Sequence, residues 1–148
     1  MSNLFRTSNS FVPTILRLVL GFLFFLHGAQ KALGWFGGLG FSKTVDMFHN
    51  YMGVPAPLAV LAIAAEFLGG IGLIVGLLGR VAAFGIFCTM VVAIFKVSLP
   101  YGVFMNWSGA QKGEGYEYHL LAIAIAVAIM VLGSGALSVD RLLAKRRN

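Results

Sequence analysis

The residues best suited to chemistry in this chain are His27, Lys31 and Glu66, because each interrupts a run that is otherwise apolar. His27 and Lys31 stand four positions apart in residues 18–34, LVLGFLFFLHGAQKALG, so on a helix they share one face. Glu66 is the lone charge of the next apolar run. A charge in the middle of a spanning helix costs roughly 3 kcal/mol on insertion scales, so such residues are retained with a partner or with a route to the interface. With a rise of about 1.5 Å per residue, His27 lies roughly 9 Å inside the first run and Glu66 roughly 15 Å inside the second. An imidazole and a carboxylate at those depths form an acid–base pair suited to proton transfer near neutral pH. Glu66 and His27 are therefore the candidate catalytic groups. The bland alternative is an ion pair that only locks the bundle, with Lys31 snorkelling to the surface.

More polar groups gather near the same end. Lys96 ends the third apolar run, Glu117 and His119 open the fourth, and Asn106 and Trp107 sit in the connection between them. With Lys31 they form the candidate ligand-binding set, an outward-facing polar cavity with Trp107 helping to close its mouth. No metal ligand set is expected. A zinc site wants tighter clustering of His, Cys or carboxylates. His27 and His119 could serve as axial haem ligands, but nothing else marks a haem site, so the cofactor is left unknown. No phosphate loop, nucleophile elbow or dinucleotide fingerprint occurs. The single cysteine, Cys88, excludes an internal disulfide and a CxxC pair, and reads as a small apolar residue.

The elements that must position these groups are membrane helices. Of 148 residues, 59% are apolar and 11% charged, where a soluble domain carries about 25% charge. The expected fold is all-α, an integral membrane four-helix bundle in a single membrane domain over 1–148, with spans near 14–33, 56–78, 81–97 and 116–132. The first run reads as a retained span, not a cleaved signal, because no clean small-residue cleavage site follows it. Between the first two spans, Phe41, Val45 and Phe48 keep a helical period among polar residues, which predicts a short interfacial helix on the outer side. Gly72 and Gly76 form a GxxxG pair, and Ala65 with Gly69 a small-xxx-small pair, both suited to close helix packing.

Charge sets the orientation. Arg6, Arg17, Arg80, Arg141, Lys145, Arg146 and Arg147 fall on the side of the termini, whereas Lys31, Lys43, Lys96 and Lys112 opposite are offset by Asp46, Glu114 and Glu117. The positive-inside rule then puts both termini in the cytoplasm. The net charge of +6 is explained by these helix flanks, so no nucleic-acid partner is expected. Trp35, Trp107, Tyr51, Tyr101, Tyr116 and Tyr118 all fall on the outer side, which points to an outer cap over the bundle.

Together these residues resemble the DoxX family. The resemblance rests on His27-Gly28-x-x-Lys31, on Glu66-x-x-Gly69-Gly70 followed by Gly76 and Arg80, and on Gly133-x-Gly135-x-x-Ser138-x-Asp140-Arg141. Phe104-Met105-Asn106-Trp107, Lys112-Gly113-Glu114-Gly115 and Glu117-Tyr118-His119-Leu120 are similar to one bacterial branch, and the whole covers about residues 14–143. It implies a small four-helix protein of the bacterial cytoplasmic membrane, a redox-linked role, a quinone-like ligand and an oxidoreductase partner subunit. Self-association into a homo-oligomer is a further expectation for so small a bundle. The competing expectation is a non-enzymatic scaffold, an assembly partner or a small-solute transporter. The two halves of the chain show no convincing repeat of the kind transporters carry.

Overall fold

The computed structural model describes residues 5–145, so Arg146 and Arg147 of the basic tail lie outside the described residues. Among the described residues there are six α-helices and no strands: α1 (Val12–Leu33), α2 (Phe41–Asn50), α3 (Ala56–Val75), α4 (Gly79–Ala93), α5 (Glu117–Leu132) and α6 (Val139–Lys145). The chain is an all-helical membrane bundle. Among the described residues three helices are long and apolar enough to cross a bilayer: Val12–Leu33, Ala56–Val75 and the continuous helical stretch Gly79–Tyr101. The fourth, α5, is apolar but only 16 residues long. At 1.5 Å per residue it spans roughly 24 Å, short of a bilayer core of about 30 Å.

The helix ends follow from local chemistry. Pro13 starts α1, and Gly34 ends it in the left-handed conformation at φ 74°. Pro55 and Pro57 start α3. That helix stops at Val75, before residue 78, because Gly76 turns left-handed at φ 71° and its N–H bonds back to Gly72 and Leu73. Gly76 is thus a helix terminator, and the GxxxG pair it makes with Gly72 is not a helix-packing device. The close approach is made elsewhere. A Cβ on Gly28 would collide with the backbone of Phe67, and a Cβ on Gly21 would lie 2.8 Å from that of Leu73. Gly70 answers from α3, where a Cβ would lie 2.5 Å from the Phe25 nitrogen. These glycines let α1 and α3 touch backbone to backbone, which supplies the packing that lipid does not drive.

In the bundle α1 lies between α3 and α5, and α4 closes the ring against both. Leu20, Phe24, Leu73, Ile86, Met90 and Ile129 fill the centre. Phe22, Leu61, Leu68, Phe84 and Leu121 stand exposed on the outside, where only lipid can cover them. Helix α2, apolar on one side, packs across the far end of α1 and α3.

The end carrying the termini is fastened by polar groups. Arg17 is 2% exposed and donates to the carbonyls of Ser134 (2.8 Å), Leu73 (2.6 Å), Ile74 (2.6 Å) and Leu137. It is therefore a buried clasp between α1, α3 and the C-terminal segment, not a wet helix flank. Asp140, also 2% exposed, accepts from the N–H groups of Leu78 (2.8 Å) and Gly79 (3.0 Å) and from the Ser134 hydroxyl (2.6 Å). It caps α4 from another element, a carboxylate at a helix N-terminus. The cap holds Leu78 left-handed at φ 51°, a conformation rare for a residue with a side chain.

Candidate functional site

Helices α3 and α4 pack side by side and come close at mid-length, where a Cβ on Gly85 would lie 3.0 Å from the Ala65 Cβ. A cleft of about 980 Å³ runs along their seam on either side of that contact, with Met47, Phe48 and Met52 around α2 at its far end. Its walls are mostly apolar. Its back is formed by Phe24 of α1 and by the polar groups His27, Lys31, Glu66, Tyr118 and His119. Lys96 lies at its rim on a single π-helical turn, Ile94–Ser98. Such turns are often found at functional sites.

Lys31 and Glu66 meet: Nζ and Oε2 are 2.5 Å apart, with the lysine side chain 24% exposed and the glutamate 4%. This is the one salt bridge among the described residues. The glycine contact beneath it sets the geometry, since Gly28, one turn before Lys31, seats α1 on the backbone of Glu66 and Phe67. His27 is not the ion-pair partner of Glu66. Its ring lies between Phe24 and Tyr118, each 6.4 Å away between centroids. Two buried polar atoms beside it have no partner in the structure, the Tyr118 hydroxyl and His119 Nδ1. Unsatisfied buried groups are costly, and a bound ligand is one way to satisfy them.

Of the residues singled out in the sequence, the cleft gathers Glu66, His27, Lys31, Lys96 and His119. It does not gather Asn106, Trp107 or Glu117. The Glu117 carboxylate accepts from the Met105 N–H (2.8 Å) and the Trp107 indole N–H (3.2 Å), and so pins the connection before α5. Asn106 closes that loop on itself, exchanging hydrogen bonds with the Gln111 backbone at 2.9 Å in both directions. Trp107 is 87% exposed. Tyr118 is the cleft residue that the sequence reading missed, because a tyrosine at a helix end reads as an interfacial marker. Its position between Glu117 and His119 was the available signal. Among the described residues no group of three His, Cys, Asp or Glu side chains gathers around one point.

Fold and site together define an α-helical membrane protein with a cleft between two spans, backed by a buried ion pair. The DoxX family profile matches residues 12–99, more than half of the chain, and the chain belongs to that family. The matched stretch holds His27, Lys31, Glu66 and Lys96, whereas Tyr118 and His119 lie beyond it. A Bacillus subtilis (strain 168) protein named "Putative oxidoreductase CatD" is similar, 32% identical over 85 residues. That match covers 57% of this chain and 58% of the relative, so the chain spans less than two thirds of the relative's length. No solved structure matches.

Proposed function

We propose that this protein binds a quinone-like small molecule in the α3–α4 cleft and acts as a redox-linked subunit of the bacterial cytoplasmic membrane, with both termini in the cytoplasm. One observation carries the reading: a mostly apolar cleft whose back gathers the Lys31–Glu66 ion pair with His27, Tyr118 and His119. Pockets for small ligands have this composition, mostly apolar with a few converging polar groups that fix orientation. A quinone matches it, with a flat apolar ring and carbonyl oxygens at its edge. The Tyr118 hydroxyl donates to one oxygen, and Lys31 and His119 lie within the same wall. Reduction of a quinone takes up electrons and protons together. The electrons come from a partner oxidoreductase subunit, and the protons pass by way of Glu66 and His27. Membership of the DoxX family and a relative whose name contains "oxidoreductase" support the redox assignment.

A second reading, a non-enzymatic scaffold or assembly partner, is favoured by the tight closure of Lys31 on Glu66, which a purely structural bolt would also show. Titration of the detergent-purified protein with a quinone analogue separates the two. The binding reading expects saturable binding that Glu66→Gln and His27→Ala weaken by tenfold or more while the helical content is kept. Unchanged binding in both folded variants, or no binding by the parent protein, would leave the scaffold.

A further inference from the structure

The end carrying the termini holds a second pocket, which shares no lining residue with the cleft. It is open, has a volume of about 570 Å³ and is lined by Arg6, Thr7, Ser8, Arg80, Val131 and Leu132. The N-terminal arm is laced to the end of α5 and the segment after it. The Ser8 N–H donates to the Leu132 carbonyl at 2.9 Å, and the Gly135 N–H to the Thr7 hydroxyl at 2.5 Å. Gly133 permits this seating, since a Cβ there would lie 2.7 Å from the Arg6 carbonyl. Arg80 reaches across from the first turn of α4. It donates to the Met130 carbonyl, and through Nε (3.3 Å) and Nη2 (3.1 Å) to the Arg6 carbonyl. Those bonds use three of its five N–H groups and fix its plane.

Carbonyls are neutral partners, so they leave the charge of Arg80 in place. Arg6 is exposed at the same pocket, and among the described residues no carboxylate lies within ion-pair distance of either arginine. Asp140, the buried carboxylate of this end, is taken up by the N–H groups of Leu78 and Gly79 and by the Ser134 hydroxyl. The carbonyl end of α5 offsets only about half a unit charge. The Ser8 oxygen accepts from the Ser10 N–H at 3.1 Å, which leaves its own hydrogen to donate. Beside these donors stand Val131, 68% exposed, and Leu132, 40% exposed, the last residues of an apolar helix. The pocket therefore sits where apolar helix surface gives way to polar groups, the depth of a lipid headgroup. We propose that it binds a phosphate oxyanion, that of an anionic phospholipid whose acyl chains run along α5 past Val131. Guanidinium forks match phosphate oxygens, and basic pockets of this kind take lipid head groups. The site is independent of the cleft and gives the N-terminal arm a binding role.

The test reads lipid retained by the full-length protein in detergent, by native mass spectrometry. Dioleoyl phosphatidylglycerol and dioleoyl phosphatidylcholine are offered at equal mole fraction. Phosphatidylglycerol should be retained in preference, and Arg6→Gln should lower its retention about fivefold. That substitution removes a charge and keeps the backbone carbonyl that Arg80 grips, so the unfolding midpoint without lipid should not move. Lys145→Gln removes a charge from the same end but outside the pocket, and should leave retention unchanged. An equal loss in Lys145→Gln would assign the effect to diffuse charge and overturn the site. Equal retention of the two lipids by the parent protein, or unchanged retention in Arg6→Gln, would overturn it as well. Millimolar inorganic phosphate separates the two sources of the oxyanion. A lipid site keeps its phosphatidylglycerol, whereas full displacement would assign the pocket to a free phosphate compound and overturn the lipid.

Discussion

Lys31 and Glu66 neutralise one another, but their exposure is unequal, so they are unequal targets. Removal of the lysine strands a carboxylate that is 4% exposed, and breaking a buried pair in this way costs about 3–5 kcal/mol. Removal of the glutamate charge strands a lysine that is 24% exposed, and its long stem can carry the ammonium to the interface. Lys31→Ala should therefore lower the thermal unfolding midpoint in detergent more than Glu66→Gln, and the Lys31→Met/Glu66→Gln double variant should recover much of the loss. Tyr118 makes the complementary prediction. Its hydroxyl has no hydrogen-bond partner in the structure, so Tyr118→Phe should leave stability unchanged or slightly raised. The same change should weaken quinone binding about tenfold, or about 1.4 kcal/mol, in an isothermal or fluorescence titration. Equal binding by the parent and this variant would remove Tyr118 from the ligand site.

The helix contacts turn on glycines whose roles differ although their residue type is the same. At Gly28 an added methyl group would run into the backbone of Phe67, so Gly28→Ala should cost about 1–3 kcal/mol through overpacking and should loosen the Lys31–Glu66 pair one turn away. At Gly69 the nearest atom is 3.6 Å away, so Gly69→Ala should be neutral or mildly stabilising in the same unfolding assay. The sequence made the helices legible, because apolar runs bounded by proline and glycine fix spans regardless of their neighbours. The partner of Glu66 was legible as a choice between His27 and Lys31, since helical spacing puts both on one face. The choice itself was not, because it depends on the rotation of α1 set by Gly28. The role of Glu117 was hidden for a related reason. A carboxylate in the first turn of a helix reads equally well as a ligand group or as an anchor for the loop before it, and only the position of the Trp107 indole decides.

At the scale of the whole molecule, the two ends of the bundle do different work, the far half gathering the polar groups of the cleft and the near end closing a clasp. Arg17 donates through its fork to four carbonyls from two segments, α3 and the stretch before α6, a geometry that a lysine cannot reproduce. Arg17→Lys should therefore unfold at a temperature nearly as low as Arg17→Ala. Asp140→Asn should also be destabilising, because its two oxygens accept three hydrogen bonds and an amide offers only one oxygen. Reporter fusions at either end, read by cytoplasmic and periplasmic enzyme activity, should both score cytoplasmic. A periplasmic result at either end would contradict the four-span orientation. The clasp also bears on how the protein is made. Arg17 is synthesised early relative to its partners, since the carbonyls of Ser134 and Leu137 that complete its shell follow more than a hundred residues later. Until then its guanidinium must keep water, another protein or the insertion machinery as company. The bundle thus cannot settle helix by helix, because α1 reaches its final seating only once residues 134–137 have arrived.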